Sequence, residues 1–74
     1  MDFEKEIKAI SEIVAGQSKE WRSQAAQRIK QLSTKLPSES LAKNRAEAAA
    51  RVASKGGLKE ISQALAEVEV ALKY

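Results

Sequence analysis

Seventy-four residues with no cysteine, no histidine and a formal net charge of +3 exclude several classes at once. Disulfides and thiolate chemistry are gone, and so are the commonest metal ligand and the usual acid–base side chain near neutral pH. The length, 1–74, is that of one small domain, near the size where a single core is marginal without a disulfide, a metal or a partner.

Apolar content is adequate until it is sorted by size. Thirteen residues are alanine, while Phe, Trp and Tyr occur once each. Alanine favours helix but buries little area, at about 0.8 kcal/mol per buried methylene. A monomer is therefore expected to have a thin core, which favours unusually close helix packing, an oligomer or a partner complex. No apolar run reaches membrane-spanning length. The first residues mix Asp2, Glu4 and Glu6 with Lys5 and Lys8, unlike a signal or transit peptide. These features predict a soluble cytoplasmic protein without a membrane partner.

The first element is read from Phe3 to Leu36. Apolar residues recur at Phe3, Ile7, Ile10, Val14, Trp21, Ala25, Ile29, Leu32 and Leu36, which is the helical period. Asp2 suits an N-cap, Glu4 and Glu6 suit the positive end of the helix dipole, and Lys30 and Lys35 suit the far end. Gly16 is the objection, because Ser18 could cap a second helix after it. At about 100° per residue, however, the stripes before and after Gly16 point within roughly 50° of each other. One glycine costs a helix only about 1 kcal/mol. The expectation is one long helix over 2–36, about 50 Å at 1.5 Å per residue, with a kink allowed at Gly16. The alternative is four short helices broken there.

Leu36-Pro37-Ser38-Glu39-Ser40 is the clearest break, since proline disfavours helix at the residue before it and Ser38 or Ser40 can cap the next helix. That helix is expected over 39–55. Its apolar side is mostly small (Leu41, Ala42, Ala46, Ala49, Val52, Ala53), and Arg45 points into it. Gly56-Gly57 ends it, with Gly56 suited to a left-handed C′ position. A third helix over 58–73 carries Leu58, Ile61, Leu65, Val68 and Leu72, leaving Val70 as an unexplained outer apolar residue. No strand is expected. The fold class is an all-α small helical bundle, one long N-terminal helix and two shorter ones.

In such a bundle Phe3, Ile7, Ile10 and Val14 overhang the shorter helices with an apolar side uncovered. A patch of that kind marks an interaction surface. Arg45 joins it as an interface residue, because an unpaired guanidinium in an apolar face must snorkel, pair with Glu12 or Glu20, or project into a partner. Trp21 reads as a core anchor. Charge is uneven: residues 1–18 sum to −2, residues 19–55 to +6 and residues 58–74 to −1. Arg22, Arg28, Lys30, Lys35, Lys43 and Arg51 are the candidate contacts for an acidic protein or nucleic acid. The alternative is a solvated surface that serves solubility. A helix-turn-helix reading of the glycine pair is opposed by the net acidic helix that follows it.

Nothing singles out a nucleophile with a base, paired carboxylates or a metal cluster. The expectation is no enzyme, no cofactor, no metal and no small-molecule substrate. Two readings follow. The first is a protein–protein interaction module (accessory, adaptor or inhibitor), docked on a larger protein or self-associating as a homo-oligomer. The second is a nucleic-acid-binding helical protein using the basic 19–55 hairpin.

Overall fold

A computed structural model describes residues 2–73. All-helical, it contains four helices and no strand among those residues: α1 (Phe3–Gly16), α2 (Trp21–Lys35), α3 (Leu41–Lys55) and α4 (Leu58–Ala71). None is long and apolar enough to cross a membrane. The single N-terminal rod is thus corrected to two helices. The whole molecule measures 33 × 21 × 17 Å, too short to contain a straight 2–36 helix of about 50 Å.

The break lies one residue after Gly16. Gln17 is left-handed, at φ 47° and ψ 44°, and its N–H donates to Ile13 O at 3.3 Å. Residues 17–20 then turn the chain, and Trp21 N–H donates to Ser18 O at 3.0 Å. Ser18 does not cap α2; the N-cap is Glu20, without a side-chain cap bond. Shared phase across Gly16 was a poor guide for a physical reason. After a reversal both helices must still face one core, so two aligned stripes are compatible with a hairpin as well as a rod. The contrary signal is that Gln17 and Ser18 occupy the positions three and four residues after Val14 where a continuous stripe needs an apolar side chain.

The other boundaries follow from local chemistry. Asp2 caps α1 by accepting from Lys5 N–H at 3.2 Å. Ser40 caps α3, its Oγ accepting from Lys43 N–H at 3.1 Å and donating to Pro37 O at 2.7 Å. The turn before it passes through a left-handed Glu39, φ 67°. Gly56 differs from expectation. It sits at φ −84° and ψ 171°, an extended conformation open to any residue. What it supplies is space, since a Cβ there would lie 2.8 Å from Val52 Cγ1 and 3.0 Å from Val52 O.

The helices form a ring in which α1 touches α2 and α4, α3 touches α2 and α4, and the diagonal pairs stay apart. Phe3, Leu36, Leu41 and Ala71 surround one hollow. The starts of α1 and α3 and the ends of α2 and α4 therefore share one end, giving an up-down-up-down bundle with short connections. Ile7, Ile10 and Val14 are buried in the chain's own core beside Trp21, Ile29, Leu32, Ile61, Leu65 and Val68. The expected overhang does not exist. On α3 the buried face is alanine only (Ala42, Ala46, Ala49, Ala50, Ala53); Leu41 lies outside at 49% exposure and Val52 is half-buried.

Gln17→Gly separates the hairpin from a rod by the sign of its effect. At a left-handed residue glycine removes a Cβ penalty, so a gain of about 0.5–1 kcal/mol is expected in urea unfolding. Inside a continuous helix the same change costs about as much, and a loss would contradict the turn.

Candidate functional site

With α1 covered, the surface features that remain lie on α3 and its two grooves. The first is apolar. Leu41 from the first turn of α3 and Val70 from the last turns of α4 are 49% and 53% exposed, and they line one hollow between α3 and α4 with Arg45, Gln63, Ala66, Glu67 and Ala71. The local sequence explains the geometry. α3 packs on α4, and the buried residues of the two helices include Ala46, Ala49 and Ala53 on α3 and Ile61, Leu65 and Val68 on α4. Residues 41 and 45, and 63, 66, 67 and 70, are left on the outer flanks of that seam, one turn apart on each helix. Arg45 and Glu67 face this hollow with opposite charges, and neither takes part in an ion pair among the described residues. The one ion pair among the described residues is Arg28 to Glu6, at 3.7 Å.

Leu41 and Ala71 also line the hollow at the end of the bundle, with Phe3, Leu36, Pro37, Ser40, Ala42 and Leu72. The apolar surface therefore continues from Val70 across Leu41 to the half-buried Phe3. Of the five interface residues expected from sequence, Phe3 and Arg45 lie on neighbouring hollows joined by Leu41. Ile7, Ile10 and Val14, at 2%, 0% and 2% exposure, are core and cannot meet a partner in this fold. Of the two organising residues of the patch, Val70 is marked in the sequence as an outer apolar residue and is exposed as expected, whereas Leu41 carries no such mark. Val70 stood out as an apolar residue off its helix's stripe, which is the usable signal. Leu41 was hidden because it keeps helical phase with Ala42 and Ala49 within a broad apolar face.

The second feature is basic and runs along α2 and α3. One groove of about 510 Å³ is lined by Lys30, Ser33, Thr34, Glu47, Ala50, Arg51, Ser54 and Lys55. It continues through Lys30 and Ser54 into a second hollow with Arg22, Ser23, Ala26 and Gln27. Four cations thus share this face with Glu47. Of the six basic residues expected to act together, Arg22, Lys30 and Arg51 do meet here, joined by Lys55. Arg28 does not, being turned toward Glu6 on α1. Lys35 and Lys43 line neither hollow.

The hydroxyls of the groove are already committed to the backbone. Ser33 Oγ donates to Lys30 O and Thr34 Oγ1 to Gln31 O, each at 2.8 Å, and Ser54 Oγ donates to Ala50 O at 3.3 Å. Any anion held here would rely on the cations. Arg22 is partly committed too. Its guanidinium lies 4.6 Å from the Trp21 ring centroid, and Nη1 donates to Gly56 O at 2.6 Å and to Ala53 O at 3.5 Å. It closes carbonyls at the C-terminus of α3 that the helix leaves unpaired. Among the described residues no group of three or more carboxylates could hold a metal ion.

Compared with known proteins, the chain matches no family model, no curated protein and no solved structure.

The double role of Arg22 gives a measurable contrast. Arg22→Ala is expected to cost about 1 kcal/mol in urea unfolding, below the usual range of about 1.5–3 kcal/mol for a charged hydrogen bond because the site is solvated. Lys30→Ala, on the same face with no such bond, should stay within about 0.5 kcal/mol. Equal effects of the two would remove the capping role.

Proposed function

We propose that this chain is a small non-enzymatic protein–protein interaction module that acts through its α3–α4 face. The single observation behind the reading is that Leu41 and Val70, two large aliphatic side chains, stand half-exposed in one hollow. Two such residues lining one hollow outside the core come at some cost in solubility. Adjacent exposed aliphatics around small residues, rimmed by an arginine, have the make-up of a docking surface. The half-buried Phe3 extends it around the end of the bundle.

A second reading has its own observation, the convergence of Arg22, Lys30, Arg51 and Lys55 on the α2–α3 face. In that reading the face tracks the phosphates of a nucleic acid. Affinity would then fall steeply with salt, by one log-log slope unit per phosphate neutralised or slightly less.

One experiment separates the two. A photo-crosslinking residue is placed at Val70, at Arg51 or at Lys8, which is exposed on α1, and irradiated in the protein's native cells. The interaction module predicts protein adducts from position 70 at least about tenfold above those from position 8, and their loss when Leu41→Glu is added. Nucleic-acid adducts from position 51, without protein adducts from position 70, would replace the first reading by the second. Equal adducts from all three positions would defeat both.

A further inference from the structure

Resting on the interaction reading, we infer that the occupant of the α3–α4 face is a second copy of this chain, paired about a two-fold axis. A two-fold interface brings one surface patch against itself, so residue i of one copy meets j of the other and j meets i. For most patches that is a problem, because like charges meet. The α2–α3 groove is such a case: four cations against one glutamate would face the same set again. The α3–α4 hollow is self-complementary. It holds one cation, Arg45 on α3, and one anion, Glu67 on α4, both exposed and in no ion pair among the described residues. Rotating one copy so that its α3 lies over the other's α4 sets Arg45 opposite Glu67 twice.

The apolar part is suited to the same arrangement. Leu41 and Val70 lie near one end of the hollow and Gln63 toward the other, with Ala66 and Ala71 between the helices offering no side chain beyond Cβ. Small residues there let the second pair of helices approach closely, and the exposed aliphatics of each copy gain cover from the other. A specific pair buries roughly 600–1,000 Å² per partner. Against an exposed surface of 4950 Å² that is about an eighth to a fifth of the molecule. The extension past Leu41 to Phe3 adds to it. An interface at the small end of this range fits a dimer in exchange with monomer at micromolar concentrations.

The test is sedimentation equilibrium of the purified full chain from about 10 µM to 1 mM. The weight-average mass should rise from the 8.1 kDa of one chain toward twice that value. Val70→Glu and Leu41→Glu should each weaken pairing at least about tenfold while circular dichroism keeps its helical signal, since both positions are exposed. Arg45→Glu and Glu67→Arg carry the sharper prediction. Each alone sets like charges opposite each other twice and should remain monomeric. Mixed in equal amounts, they form two opposite-charge contacts per pair and should recover a mixed dimer. A monomer at 1 mM would overturn the inference, as would a dimer indifferent to Val70→Glu, or a mixture that fails to recover. Protein adducts from position 70 to a different protein, with this chain monomeric, would leave the interaction reading standing and remove only the second copy. A dimer together with self-adducts supports both.

Discussion

The side chains that fill this bundle come from three helices, and the fourth supplies only the room for them. Every large fully buried residue lies on α1 (Ile10), α2 (Ile29, Leu32) or α4 (Ile61, Val68), while α3 turns alanines inward at each buried position. A face that ends at Cβ lets α2 and α4, which do not touch each other, each pack directly against α3. It cannot fill the centre by itself. That is why α1 must fold back. Left as an extension of α2, its stripe of Ile7, Ile10 and Val14 would stay wet, and the remaining three helices would enclose too little apolar area for a chain of this length. The left-handed Gln17 is the local means, and the alanine face of α3 is the reason.

The same constraint sorts what could be read from the residues alone. The all-helical class, the Asp2 cap, a serine cap at Ser38 or Ser40 (Ser40 in the structure) and the Leu36-Pro37 break each rest on chemistry within a few residues of the position concerned, and each is legible there. Of the expected α4 seam, Ile61, Leu65 and Val68 are buried, while Leu58 at its start is 37% exposed and Leu72 at its end is only half-buried. The reversal at Gln17 is not local. Gly16 is helical, has open space around it and is not the residue that needs a special backbone angle. The turn is set by the demand of a distant alanine face for aliphatic filling, which no window around Gly16 contains. Gly56 shows the converse: its identity was readable as a helix stop, but its reason is contact with Val52 and not handedness. On the surface, the basic total of residues 19–55 was visible, but not its division. Helix phase alone could not tell that Arg28 would face Glu6 while Lys30 and Arg51 face each other across a groove.

Moving the aliphatic stripe inward changes which residues are free to act. The surface of the molecule is left with two unlike faces on either side of α3. One is strongly basic, with the hydroxyls of Ser33, Thr34 and Ser54 already bonded to helix carbonyls and one of its arginines capping a helix end. The other is nearly neutral, with two exposed aliphatics and one charge of each sign. Electrostatic steering favours polyanions on the first, and apolar cover favours a protein surface on the second. Both faces share α3, so an occupant of one constrains the helix that borders the other.

The reversal is tested most directly by a distance. The chain has no cysteine, so Lys5→Cys and Lys35→Cys, both at exposed positions, can carry a pair of spin labels without competition. In the bundle the start of α1 and the end of α2 lie side by side, and pulsed electron resonance should give a single population below about 25 Å, adjacent helices being about 8–10 Å apart. A distribution centred near 45 Å, the length of a helix continuing through Gly16 at about 1.5 Å per residue, would contradict the four-helix core and everything placed on its surface.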